Sequence, residues 1–167
     1  MHRAFLDAGN HKKIVSMYSG ILSPSEVGKI NLEAQSHTRM MYVLGIEHYN
    51  FATKIAKMQW RQRISRLYYA SYNVSKAVRF DSDGVYSTEV KDHTKVGELP
   101  SSFPDRATYT NELRNLREDR NASDYDHLAV KSDLLRTPEA YQTTVLNFIR
   151  HAHDYLSSRG NVLGAKP

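Results

Sequence analysis

A chain of 167 residues without a cysteine excludes disulfides, thiolate metal sites and a cysteine nucleophile. Hydrophobic residues make up 40% and charged residues 25%, the balance of an ordinary globular domain with a core of its own. The net charge of +5 and pI near 9.4 favour a polyanionic partner, with cations spread along the chain rather than gathered in a basic tail. No apolar run nears the roughly 18 residues of a membrane span. Met1-His2-Arg3-Ala4-Phe5 lacks the apolar core of a secretion signal, so the expectation is a cytoplasmic protein without a membrane partner.

Residues 1–22 show little periodicity and are expected to form a mobile or loosely docked arm. Ser23-Pro24-Ser25-Glu26 starts a helix: a hydroxyl cap, proline in the first turn, then an acid near the positive helix end. Ile30, Ala34, Met41, Leu44, His48, Phe51, Ile55 and Met58 continue the helical spacing. Gly28 and Gly45 weaken the run, and a kink or break is expected near residues 36–40. A second helix begins at Gln59-Trp60, with Ile64, Leu67, Tyr68, Ser71, Val74, Ser75 and Val78 on one face, and stops at the turn Asp81-Ser82-Asp83-Gly84. A short helix is expected around His93–Leu99. Pro104-Asp105 then caps a helix from about Arg106 to at least Arg120. If that helix continued, Leu113, Leu116, Arg117, Arg120, Asp124 and His127 would share a face that turns from apolar to charged. Thr137-Pro138 opens the last helix and Gly160 closes it. The sum is an all-α domain over 23–159, a bundle of four or five helices, with a C-terminal tail at 160–167.

Two stretches of this chain resemble the HEPN domain. Arg66-Leu67-Tyr68-Tyr69-Ala70-Ser71-Tyr72, followed by Ala77, is similar to the Arg-x-Tyr-Tyr-Ala signature of the second HEPN helix. Arg120-Asn121-Ala122-Ser123-Asp124-Tyr125-Asp126-His127 resembles the family's arginine, polar residue and distal histidine. His93-Thr94-Lys95-Val96-Gly97-Glu98-Leu99-Pro100 is similar to the short helix between them, so the likeness covers roughly residues 38–157. The Asn-x-x-Asp-Tyr-Asp portion looks like a branch that ends in Ala-Asp-Tyr, many of whose members lack the histidine; here His127 follows it. The resemblance implies a HEPN-like helical bundle that dimerises so that two Arg–His motifs meet in a shared cleft. It also implies a metal-independent endoribonuclease of the toxin–antitoxin or phage-defence kind, acting on RNA, tRNA among the candidates. Other members are inactive RNA or nucleotide binders, and many pair with a nucleotidyltransferase antitoxin.

Metal-free RNA cleavage requires a base for the 2′-hydroxyl proton and a cation for the charge that builds on the phosphate. His127 suits the first task and Arg120 the second, since its planar fork stays charged and can grip two phosphate oxygens. Asn121 either donates to the phosphate or orients the histidine, and Asp124 holds Arg120 from one turn away. Tyr125 stacks on a base or bonds a phosphate; Arg117 and Arg66 add charge at the cleft. Seven residues of helix span about 10 Å, so Arg120 and His127 of one chain meet on one phosphate only if the helix breaks near Asn121–Asp124. A dimer with both motifs at its interface is the expected answer.

The same residues have plainer readings. Arg117, Arg120 and Asp124 also make a structural salt-bridge cluster beside an exposed histidine. Tyr68, Tyr69 and Tyr72 are core at helical spacing. Arg61, Arg63 and Arg66 are a solvated face or, less simply, a nucleic-acid stripe. His151 and His153, two residues apart, point to different sides of a helix, and Asp81–Gly84 reads as a turn rather than a calcium loop. No metal or cofactor is expected. Three functions remain: an endoribonuclease, a non-catalytic RNA or nucleotide binder, and a pure interaction domain.

Overall fold

The first helix among the described residues is short, α1 (His11–Met17), capped by the Asn10 side chain, which accepts from the Lys13 N–H. The computed structural model describes residues 9–87 and 89–167, so residues 1–8 of the expected arm lie outside the described residues. Within that arm α1 is helical, and its first residue, His11, is buried with its ring 4.8 Å from that of Phe80.

Ser23 opens α2 (Pro24–Lys54) with a reciprocal cap. Its hydroxyl accepts from the Glu26 N–H, and the Glu26 carboxylate accepts from the Ser23 N–H at 2.8 Å. The helix then runs 31 residues without a break, so the kink expected near residues 36–40 is absent. No proline interrupts it, and Thr38 stays within the helix by bonding back to the Ala34 carbonyl. Gly45 is the place where α2 meets its neighbour: a Cβ built there would lie 2.5 Å from Val74 Cγ2 and 2.9 Å from the Ala70 carbonyl oxygen.

That neighbour, α3 (Trp60–Asp83), is the pillar on which the other long helices pack. Ile64, Leu67, Tyr68, Ala70, Val74, Ala77, Val78 and Phe80 are all essentially inaccessible, which is more than one stripe of the helix. A helix enclosed by neighbours loses its polar face. It ends at Gly84, whose φ of 74° closes the last turn.

A 3₁₀ turn (Val90–Lys95) stands where the short helix was expected, somewhat earlier than the sequence suggests. Asp92 buries its carboxylate under α3. It accepts from Tyr72 Oη at 2.8 Å and from both Arg79 terminal nitrogens at 3.0 Å. Burial alone would raise this carboxyl, but the Arg79 and Tyr72 hydrogen bonds outweigh it and hold it below the usual range.

α4 (Arg106–Tyr125) does not start on a capping carboxylate. Asp105 sits in the left-handed region at φ 49° and makes no side-chain cap. Leu113 and Leu116 seal α4 to the core, and α5 (Pro138–Ser157), capped by Thr137, closes the bundle with Tyr141, Val145, Phe148, Ile149, Ala152 and Leu156. The architecture is an all-α bundle; the described residues form five helices and no strand beyond one isolated Asn10–Val85 bridge.

The two helical glycines of α2 separate crowding from helix propensity. Gly45→Ala drives a methyl into α3 backbone and is expected to lower stability by about 1–3 kcal/mol. Gly28→Ala meets nothing within 4 Å and is expected to add about 0.5–1 kcal/mol. Urea unfolding of both variants measures the contrast.

Candidate nucleic-acid interface

The last turns of α4 carry Arg120 to the edge of the bundle, and α3 supplies the surface against which it lies. The guanidinium carbon stands 5.5 Å from the Tyr68 and Tyr69 ring centroids and 5.0 Å from that of Tyr125. Nη2 donates to Tyr69 Oη at 2.9 Å, while Nη1 donates to Tyr125 Oη at 3.2 Å and Asn121 Oδ1 at 3.3 Å. Nε lies 2.8 Å from Asp124 Oδ2, an ion pair one turn apart in which the N–H is not aligned for a hydrogen bond. An arginine has five N–H groups, so one Nη2 hydrogen and the Nε–H make no hydrogen bond among the described residues. In this arrangement a two-pronged grip on a phosphate requires Tyr125 or Asn121 to yield. Tyr125 is 72% exposed and at the helix end, the simplest group to move.

Beside this arginine runs an open groove of about 380 Å³, lined by Arg61, Gln62, Ser65, Arg66, Tyr69, Ser123 and Asp124. Arg66 lies over the Phe51 ring at 5.2 Å, with Nη1 3.4 Å from His48 Nδ1. The His48 ring stands 5.6 Å from that of Tyr69. Burial, then the Arg66 charge, holds His48 below its ordinary pKa. Asp124 also accepts from the Ser65 hydroxyl, at 3.3 Å. Arg66, Tyr69 and Asp124 thus line the groove, Arg120 meets it through Tyr69 and Asp124, and His48 through Arg66 and Tyr69.

Arg61 is not part of a solvated face. It lies 4.8 Å from the Trp60 ring centroid and donates to the Ser123 and Asp126 carbonyls at 2.8 and 2.7 Å, and to that of Ala129. It thus collects one carbonyl from the last turn of α4 and two from the chain just beyond it. Arg63 is buried, with Nη1 2.6 Å from Glu139 Oε1 and Nη2 donating to Gln142 at 2.9 Å. Of the three arginines read as one stripe, only Arg66 faces the groove as a free cation among the described residues. Of the three tyrosines, Tyr68 and Tyr72 are buried as expected, whereas Tyr69 reaches the site.

The structure does not bring His127 to Arg120. α4 ends at Tyr125, and Asp126 turns the chain by accepting from the Leu128 N–H at 2.9 Å. His127 rides that turn, exposed, off the helical face that carries Arg117 and Arg120. Arg117 pairs with Glu118 at 2.9 Å rather than with Asp124. Asn121 and Asp124 do meet Arg120, as their spacing implied. His151 and His153 diverge, the first toward Tyr109 and the second toward the Gly164 carbonyl.

A histidine that the residue pattern did not single out is the one nearest this tyrosine platform. His93 stacks on Tyr72 at 4.2 Å, has its Nδ1 2.9 Å from Tyr68 Oη, and meets the Tyr69 ring edge-on at 6.2 Å. Burial, then the Arg120 charge, holds its pKa below the ordinary value. It lies in the last turn of the 3₁₀ segment, against three tyrosines, a position that becomes visible only once the segment is folded back on α3.

No family model matches the chain, and no curated protein or solved structure is significantly similar to it.

Two outcomes test this geometry. Arg61→Ala removes the cap of α4 and is expected to speed amide exchange at residues 123–130 while lowering stability by about 1–3 kcal/mol, both readable by hydrogen-exchange mass spectrometry with urea melts. His48 and His93 are held below the ordinary 6.5, so the unfolded chain binds more protons than the folded one once pH falls below that value. Stability is expected to be full above pH 6.5 and to decline below it, and the double variant His48→Gln/His93→Gln is expected to flatten the decline in melts run from pH 7.5 to 5.

Proposed function

We propose that the groove beside Arg120 binds RNA and that the chain is a metal-independent endoribonuclease of HEPN type, working as a pair of identical subunits. The observation that carries this reading is the setting of Arg120. A guanidinium is laid across Tyr68, Tyr69 and Tyr125 and held by Asp124, beside a groove lined by Arg66, against which His48 lies. Aromatic faces for bases and a fixed fork for phosphate are the elements of single-strand RNA recognition. The overall charge of +5 suits the same partner. Within one chain His127 lies beyond the helix end, so its contribution requires a second copy that brings its motif to Arg120. Cleavage then forms a bond from the 2′-oxygen to phosphorus and breaks the bond to the 5′-oxygen, leaving a cyclic phosphate and a 5′-hydroxyl. Arg120 offsets the charge that accumulates on the phosphate, and Asn121 turns its amide toward the same group.

One observation favours a second reading. Three of the five Arg120 N–H groups already donate to protein acceptors, and Nε is held beside Asp124, which suits a site that binds a single phosphate and stops there. In that reading the domain is a non-catalytic RNA or nucleotide binder, or the partner of a nucleotidyltransferase.

Incubation of chelator-treated protein with total RNA and tRNA separates the two. The enzyme reading expects cleavage by the wild type and a loss of about 100-fold or more for Arg120→Ala and for His127→Ala, with both variants folded and dimeric. Salt-dependent binding without any cyclic phosphate end, at every concentration of enzyme, sinks the enzyme reading and leaves the binder.

A further inference from the structure

Attack by a 2′-hydroxyl moves two protons. One leaves the 2′-oxygen as the new bond to phosphorus forms, and one must reach the departing 5′-oxygen. His127 alone fills one of these roles. The rest of the site holds a group for the other, in the same chain as Arg120.

Its place is fixed by packing rather than by a long side chain. Asp92, buried and tied to Arg79 and Tyr72, anchors the 3₁₀ turn against α3 and so sets the His93 backbone. The imidazole then stacks on Tyr72, and its Nδ1 meets Tyr68 Oη at 2.9 Å. Tyr68 Oη also lies 3.4 Å from the His93 carbonyl oxygen. Both contacts are satisfied together when Nδ1–H donates to the Tyr68 oxygen and the Tyr68 hydroxyl donates to the carbonyl. We assign this tautomer because it uses both contacts at once. It leaves a lone pair on Nε2, which makes no hydrogen bond among the described residues. Arg120 and His93 flank the same two rings, Tyr68 and Tyr69.

We propose that His93 takes the 2′-hydroxyl proton of an RNA whose phosphate is held by Arg120 of the same chain. The proposal rests on the ribonuclease reading above and names the base of that reaction. The 2′-oxygen proton passes to His93 Nε2, the 2′-oxygen bonds phosphorus, the bond to the 5′-oxygen breaks, and the 5′-oxygen is protonated from His127 of the second copy. His93 later returns its proton to solvent. Tyr68 acts as a positioning residue, because it selects the tautomer and touches no reacting atom.

The charges around His93 suit a base. Arg120 and Arg117 from α4 and Lys76 from α3 disfavour the imidazolium, Asp92 on its own turn favours it, and the rings of Tyr68, Tyr69 and Tyr72 face it. Tyr68 is pushed up to about 12 by burial, so it remains a phenol throughout the working range. His48 is the less suitable candidate. Its Nδ1 accepts from Arg66, which places the ring proton on Nε2 and leaves no free lone pair.

The test is steady-state cleavage of an RNA oligonucleotide by chelator-treated full-length protein across pH 5–8, with folding checked by circular dichroism. His93→Gln is expected to lower kcat about 100-fold or more while KM stays within about 3-fold. The wild-type kcat/KM is expected to rise through a limb below pH 6.5 that His93→Gln abolishes. Tyr68→Phe frees the ring to take the other tautomer and is expected to lower kcat about 10-fold with KM unchanged. Wild-type cleavage with a full rate in His93→Gln overturns the role of His93 and leaves the ribonuclease reading standing. Absence of wild-type cleavage overturns both. If His93→Gln does not fold, Tyr68→Phe decides: an unchanged kcat and pH profile removes His93 from the reaction.

Discussion

One buried carboxylate holds the working end of this bundle together. Asp119 lies on the inner face of α4, almost wholly enclosed, and accepts three hydrogen bonds. They come from the Tyr141 hydroxyl of α5 at 2.7 Å and from the backbone N–H groups of Leu135 and Arg136 at 3.0 and 3.3 Å. An ionised carboxylate taken out of water is costly unless its lone pairs are used, and here the bonds come from two separate pieces of chain. The result is a junction of α4, α5 and the loop between them. Because side chains advance by about 100° along a helix, pinning Asp119 inward turns Arg120 outward over the α3 tyrosines. Tyr141 shares the constraint: burial, then the bond to Asp119, raises its hydroxyl well above the ordinary tyrosine pKa.

Around Arg120 the three tyrosines divide their tasks by depth. Tyr68 is buried and works through its ring and a hydroxyl turned to His93. Tyr69 is half-buried and offers its hydroxyl to the guanidinium. Tyr125 is exposed and forms the outer wall. Burial draws the arginine pKa down, but hydrogen bonding to Tyr125 and the charge of Asp124 more than offset it. The cation is thus held tightly in place without being neutralised. Asp124 lies against one side of it, and the exposed Tyr125 covers another.

Local signals on the chain were legible where a single residue decides the outcome. The Ser23–Glu26 cap, the Thr137 cap, the apolar stripe of α5 and the Asp124–Arg120 spacing could all be read from one turn of sequence. Features decided by distant residues were not legible. Arg61 and Arg63 look alike in sequence, yet one finds carbonyls more than 60 positions away and the other a glutamate in α5. Asp119 resembles any surface acid until Leu135, Arg136 and Tyr141 arrive. The kink expected near residues 36–40 is absent because Thr38 bonds back to the Ala34 carbonyl and no proline interrupts the run, while Gly45 is held within the helix by α3 packed directly against it. His127 was placed on the α4 face by extrapolating a period that the Asp126 turn ends. His93 entered the sequence argument only as part of a linking helix, because nothing local marks it as lying under the tyrosines.

The position of Trp60 has an optical consequence. It is the only tryptophan in the chain, and the arginine beside it sits over its indole while holding the carbonyls that end α4. Indole emission responds to a nearby guanidinium and to local polarity, so the wild-type protein carries an intrinsic fluorophore at the rim of the groove. The same groove wall contains Arg61 and Ser123. Anything that enters and shifts the end of α4 must move the charge over that ring, and excitation at the red edge of the absorption band, where the eleven tyrosines are silent, isolates this one signal.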